Sequence, residues 1–115
     1  AKKICEAERE RVLKAGDIST MVTGRSGGHP VRCLKTPFTR RFAKAESAGA
    51  SQDELNAMGA GSLRKAAREG DYENGSFMCG QIAGLVKRRQ TAAEIVDDLI
   101  GGAEKVLKGA TTWLR

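Results

Sequence analysis

The chain has 115 residues, of which 40% are hydrophobic and only 4% aromatic, so it has room for one domain with an aliphatic core and not for two domains. Its 20 Lys and Arg residues against 14 Asp and Glu residues give a net charge of +6, which permits an acidic partner such as nucleic acid, an anionic membrane or an acidic carrier protein. The three cysteines are odd in number and far apart, which argues against a disulfide framework and against a metal site.

Cysteine spacing and charge pattern narrow the location and the partners that the protein can have. Cysteines without a CxxC pair fit reduced thiols and a cytoplasmic location, and no stretch of the sequence is apolar enough to span a membrane. Acidic residues interleave with the basic ones, as on a solvated helix face. Because few aromatic residues are available to stack on bases, nucleic acid is the less favoured partner.

The first half of the chain predicts a helix, one short strand, a loop and a second helix. Residues 2–15 are rich in helix formers, and residues 17–24 contain β-branched residues typical of a strand. Residues 24–37 hold three glycines and two prolines, a composition typical of a loop. Helix formers return over residues 38–47. The single predicted strand lacks an evident partner, which suggests an incomplete fold.

The second half of the chain predicts further helices. Capping boxes at 51–54 and 91–94 mark two helix starts, the second of which opens a strongly amphipathic helix. Residues 70–76 predict a loop, and the small and apolar residues of 77–87 predict a buried helix whose glycines allow close approach of a neighbour or ligand. Trp113 is interpreted as a packing anchor for the last helix.

The only histidine, His29, lies in a glycine loop and has no partner that spacing alone can identify. A loop histidine with a single hydrogen bond is therefore favoured over a catalytic one. Arg25 and Arg32 flank it, so the loop either grips an anion through guanidinium groups and free amides or is a solvated surface loop. The residues alone leave these two alternatives open.

A second stretch with several candidate functional residues runs from Gly75 to Gln81. Gly75 and Ser76 precede the predicted helix, where free amides favour anions, although a serine N-cap explains the same residues. Gln81, if buried, needs hydrogen-bond partners that a heterocyclic ligand or the core could supply. Cys79 is interpreted as an inert thiol, since no base or cation adjoins it.

Long blocks of the sequence, among them TGRSGGHPVR and ENGSFMCGQIAGLV, resemble the C-terminal part of the FMN-dependent enoyl-acyl-carrier-protein reductase II family, relatives of the nitronate monooxygenases. The resemblance covers nearly the whole chain. Two departures are Gly27, where threonine is usual, and the pair Phe77 and Cys79 around Met78, where smaller residues are usual.

The resemblance implies that this chain, mainly α with one short strand, is the C-terminal part of a (β/α)8 TIM-barrel flavoprotein whose barrel lies upstream. Residues 1–35 would then form a helix, a strand and the Arg/His loop, residues 36–70 a helical lid-like region, and residues 71–115 a flavin-proximal helix and the C-terminal helix. The family's catalytic histidine lies upstream, so His29 is not expected to be catalytic, and no catalytic residue or metal ligand is assigned here. The resemblance assigns cofactor contacts to Ser76, Met78, Cys79, Gly80 and Gln81, and a substrate-side loop to Arg25, Ser26, His29 and Arg32.

The implied activity is NAD(P)H-driven, FMN-mediated reduction of trans-2-enoyl thioesters in bacterial fatty-acid synthesis. The implied partner is the acidic acyl carrier protein, attracted by Arg25, Arg32, Arg40 and Arg41, and a homodimer is compatible with the family. We expect these 115 residues alone to hold FMN poorly and to be inactive. The alternatives are a nitronate monooxygenase-like flavin oxidase and a stand-alone basic helical binding module.

Overall fold

The computed structural model describes residues 5–110 and Thr112. This part of the chain is mainly helical, as expected, with a single two-stranded sheet. In chain order the elements are α1 (Glu6–Leu13), β1 (Thr20–Thr23), β2 (Val31–Leu34), α2 (Pro37–Ser47), α3 (Gln52–Gly59), α4 (Ser62–Arg64), a π-helical turn (Lys65–Glu69), a 3-10 helix (Gln81–Leu85) and α5 (Ala92–Ala110). Trp113, predicted as a packing anchor, lies outside the described residues.

The two strands form an antiparallel hairpin in which Thr20 is opposite Leu34 and Thr23 is opposite Val31. The prediction of one strand followed by a loop over 24–37 was therefore wrong, because β2 lies inside that range. The partner of β1 is therefore the neighbouring strand β2. Pro30 and Pro37, on either side of β2, give this stretch the composition of a loop. They lie outside the strand and remove none of its hydrogen bonds.

The α2 and α3 helices both begin with a capping box. The α2 helix begins with a capping box between Thr36 and Thr39 and has proline at its first turn, and the rings of Phe38 and Phe42 are 6.0 Å apart on one face. The α3 helix begins with the predicted box between Ser51 and Glu54. The α3 box was predicted from the sequence because its signal lies within four residues, whereas the α2 box was not.

The small core is centred on Phe77, which is fully buried. Ala15, Leu34, Ala66 and Ala83 complete the buried cluster. Glycine lets the chain approach closely here, since a β-carbon on Gly75 would lie 2.3 Å from the carbonyl oxygen of Asp71 and 2.8 Å from the amide nitrogen of Ala66.

The predicted buried helix over 77–87 is wrong. The Leu34 N–H donates to the Phe77 carbonyl at 2.8 Å, and Met78 forms a β-bridge with Cys33, so this stretch begins as an extended neighbour of β2. Only the 3-10 helix follows, with the Leu85 side chain 68% exposed. Glycine weakens a helix, and pairing with β2 satisfies the backbone instead.

The last helix, α5, is confirmed over Ala92–Ala110, yet none of its residues is buried. Its apolar stripe, here called the α5 face, is open to solvent. The large side chains of the α5 face are Ile95, Val96, Leu99, Ile100, Val106 and Leu107. Within the described part of the chain, no helix is both long and apolar enough to cross a membrane.

Candidate functional site

A cavity of about 180 Å³ lies between the hairpin loop, α2, α3 and the stretch that follows Gly75. It brings His29 of the first predicted segment together with Ser76 and Met78 of the second. One part of the wall is aromatic, from Phe38 and Phe42. We call this space the loop cavity.

The hairpin loop is held by Glu46, which projects from α2. The backbone N–H groups of Gly24 and Ser26 donate to its carboxylate at 3.1 and 2.7 Å, and the Ser26 hydroxyl donates at 2.9 Å. The Ser26 amide is the largest cause of the lowered pKa of Glu46, and the Ser26 hydroxyl and Gly24 amide lower it further. The anion gripped by these loop amides is therefore the chain's own carboxylate. Sequence reasoning recognised the donors and missed the acceptor, which is 20 residues away.

The residues of the predicted substrate-side loop lie in different environments. Arg25 is exposed on the loop, and His29 lines the loop cavity with an exposed side chain that forms no hydrogen bond within the described residues. The Arg32 guanidinium instead donates from Nη1 to Thr20 Oγ1 at 3.0 Å across the sheet. The structure therefore does not bring Arg25 and Arg32 together around His29.

The amide side chains of Gln52 and Asn56 form the polar edge of the loop cavity. Gln52 Nε2 donates to Asn56 Oδ1 at 3.0 Å, one helical turn along α3. No further hydrogen bond in the described structure uses Gln52 Oε1 or Asn56 Nδ2, which leaves one acceptor and one donor for a ligand amide. Sequence analysis missed both residues, because adjacency to a distant loop carries no local signal.

The predicted flavin-contact residues divide into two groups. Ser76 and Met78 line the loop cavity, and the Met78 side chain is 45% exposed. The Ser76 N–H donates to the Ser62 carbonyl at 3.0 Å, so it is not the free amide at a helix start that the sequence suggested.

The other three residues, Cys79, Gly80 and Gln81, do not line the loop cavity. Cys79 packs against the core, and burial raises the pKa of its thiol, with smaller contributions from Cys33 and Glu8 and an opposing one from Arg32. A protonated thiol fits the inert role predicted for it. Gln81 is exposed at the start of the 3-10 helix, so the condition under which it would need buried hydrogen-bond partners is not met.

The chemistry available in the loop cavity is recognition through shape and neutral polar groups. His29 is its only titratable lining residue among those described. No group of His, Cys, Asp and Glu side chains in the described part of the chain is arranged to hold a metal ion. Small-molecule sites in proteins usually measure about 300–1,000 Å³, so a cavity of about 180 Å³ is too small to enclose a flavin.

The chain is similar in structure to two solved proteins. One is FabK from Thermotoga maritima, with a TM-score of 0.91, 34% sequence identity, and coverage of 97% of this chain and 35% of FabK. The other is a methionine-to-alanine mutant of FabK from Thermotoga maritima, with a TM-score of 0.77, 33% identity, and coverage of 96% of this chain and 32% of the mutant. The chain thus spans about a third of the length of the solved proteins that it matches.

Sequence comparison gives the family. No curated protein sequence matches the chain significantly, whereas the family model described as nitronate monooxygenase matches residues 2–102. That match covers most of the 115 residues, and the likeness to FabK agrees with it. The resemblance found in the sequence is therefore confirmed, and this chain belongs to the nitronate monooxygenase family.

Proposed function

We propose that the chain is part of an FMN-dependent enoyl-acyl-carrier-protein reductase that uses NAD(P)H to reduce trans-2-enoyl thioesters. Within that enzyme it supplies one wall of the substrate and flavin site. The observation that carries the proposal is the loop cavity, because it joins His29 to Ser76 and Met78, which the resemblance assigns to the substrate side and the flavin side. The likeness to FabK over 97% of this chain supports the same assignment.

The role of this wall is to position the substrate and the flavin and to exclude water. Phe38 and Phe42 give an apolar surface for an acyl chain, while the free Gln52 carbonyl and Asn56 amino group suit an amide of the substrate arm. FMN, when bound, supplies the hydride chemistry. Met78 is exposed at the opening of the loop cavity, where a flavin ring would pack against its flexible thioether.

The cofactor is expected to need further residues. The loop cavity is smaller than a flavin requires, and phosphate sites in TIM-barrel enzymes lie in loops after the last barrel strands. We therefore propose that the rest of the family fold, a (β/α)8 barrel, completes the site and covers the α5 face. These 115 residues alone should bind FMN poorly and turn over no substrate.

Acyl carrier protein is the proposed partner, drawn in by positive charge. Arg25 and Arg40 suit this role because they are exposed and their side chains form no hydrogen bond or ion pair within the described residues. Arg41 is less available, since Nη2 donates to the Glu73 carbonyl at 2.7 Å, and Arg32 is held by Thr20. A homodimer and a cytoplasmic location remain expectations.

The second candidate is a nitronate monooxygenase-like flavin oxidase, which the family match itself favours. The two candidates differ in their electron donor. A reductase consumes NAD(P)H in proportion to the enoyl thioester reduced, whereas a nitronate oxidase turns over with oxygen and without NAD(P)H.

The decisive experiment begins with the protein purified from its native source, its intact mass and its flavin absorbance. A flavin-loaded protein larger than 115 residues would then be assayed with a trans-2-enoyl thioester and with a nitronate. NAD(P)H oxidation that depends on the enoyl thioester supports the reductase. Nitronate oxidation alone supports the oxidase, and a colourless 115-residue protein that binds nucleic acid with strong salt dependence would overturn both in favour of a binding module.

A further inference from the structure

We propose that a second cavity, which shares no lining residue with the loop cavity, binds a small organic phosphate. This space measures about 400 Å³ and is lined by Arg11, Lys14, Lys35 and Arg40 together with Tyr72 and Leu34. We call it the cationic cavity. The inference does not depend on the proposed function.

The four cations come from separate parts of the fold. Arg11 and Lys14 lie at the end of α1, Lys35 follows β2, and Arg40 lies in α2. The Lys35 N–H donates to the Ser19 carbonyl at 2.8 Å, which fixes the wall between the hairpin and the turn after α1. The convergence is therefore a product of tertiary structure and not of a basic run in the sequence.

The positive charge of the cationic cavity is not compensated by acidic residues of its described lining. No Asp or Glu is among its described lining residues, and none of the four cations takes part in the ion pairs of the described structure. Some cations elsewhere are paired, for example Arg9 with Glu6 and Arg64 with Glu69. A concave site lined by one sign of charge concentrates counter-ions, so an anion is the ligand that this lining favours.

Arg11 strengthens the assignment. Its guanidinium lies 3.7 Å from the centroid of the Tyr72 ring and 5.6 Å from that of Phe77, which holds the cation in place. A phosphate oxygen is the acceptor that a guanidinium binds best.

The size of the cavity indicates an organic phosphate. Its 400 Å³ falls within the range of small-molecule sites and exceeds what an inorganic anion fills. Tyr72, Leu34 and Ile18 add apolar surface to the wall, against which a sugar, a base or an alkyl arm could pack. The ligand class that fits the cationic cavity is thus a phosphate ester with a compact organic part.

The test is calorimetric titration of the 115-residue chain with ADP, inorganic pyrophosphate and adenosine. We expect ADP to bind more tightly than pyrophosphate, adenosine not to bind, and Lys35→Gln and Arg40→Gln each to weaken ADP binding by about fivefold or more. Arg68→Gln is the matched control, because Arg68 is exposed and lies outside the cationic cavity, and it should leave the affinity unchanged.

Circular dichroism of each variant separates loss of binding from loss of folding. Absence of ADP binding to the folded chain would overturn the proposal, as would equal binding by the Lys35 and Arg40 variants and the wild type. Pyrophosphate binding as tight as that of ADP would overturn the organic part of the assignment.

Discussion

The side-chain amide of Gln52 occupies the space that a β-carbon on Gly27 would need. Such a carbon would lie 2.4 Å from Gln52 Oε1 and 2.8 Å from Nε2. The backbone of Gly27 is not in the left-handed region, so a side chain at this position would disturb the Gln52 contact and not the backbone torsion angles. The pair ties the hairpin loop to the first turn of α3 at the edge of the loop cavity.

This contact predicts that Gly27→Ala and Gln52→Ala are coupled. Alone, Gly27→Ala should destabilise the chain by about 1 kcal/mol, since it displaces the Gln52 amide. In the Gln52→Ala background it should be neutral or stabilise by about 0.5 kcal/mol. Urea unfolding of all four proteins measures the coupling. Gly16→Ala is the control, because nothing lies within 4 Å of its β-carbon position, and additive effects at 27 and 52 would contradict the contact.

Glu46 should make the stability of the hairpin loop depend on pH. Its folded pKa lies below the ordinary value because the Ser26 amide and hydroxyl and the Gly24 amide donate to the charged form. The stabilisation is therefore fully present above about pH 4.3, the ordinary value for glutamate, and is lost as the pH falls through the folded pKa.

Glu46→Gln should accordingly lower the free energy of unfolding by about 1 kcal/mol at neutral pH, after allowance for solvent screening. The difference from wild type should vanish in acid. Urea unfolding of both proteins at several pH values measures it. A difference that persists unchanged below the folded pKa would rule out the role assigned to this carboxylate.

Phe77 should dominate the core. It is fully buried among small residues, so Phe77→Ala should cost about 3–5 kcal/mol. That is enough to unfold a chain of marginal stability, and thermal unfolding followed by circular dichroism would report it. Phe77→Leu, which keeps most of the volume, should remain folded. A Phe42→Ala variant with an equal loss would show that the core is not centred where we place it.

The α5 face should contribute little to the stability of the chain by itself. Leu99 is 67% exposed, so Leu99→Gln should change the free energy of unfolding by no more than about 0.5 kcal/mol. Leu55, at 3% exposure, is the contrast, and Leu55→Gln should cost more than about 3 kcal/mol. A comparable loss at Leu99 in urea unfolding would show that the α5 face is already packed in this chain.

Local signals in the sequence located the starts of α3 and α5. The box of Ser51 with Glu54 and that of Thr91 with Glu94 lie within four residues of chain, so their hydrogen bonds form wherever the backbone turns helical. The apolar spacing of α5 is equally local. The helical spacing of apolar residues does not reveal whether the apolar face is covered, and the α5 face is exposed.

Tertiary contacts decided the rest. β2 is a strand because β1 on one side and the stretch from Phe77 to Cys79 on the other satisfy its backbone. That pairing, followed by a short 3-10 helix, replaces the helix predicted over 77–87. Glu46 closes the glycine loop, and Gln52 fills the space beside Gly27. Sequence alone therefore determined the family and the helix starts, which depend on neighbouring residues. Only the folded chain decided the sheet, the loop cavity and the cationic cavity, because each is built from groups distant in sequence whose contacts compete with local preference.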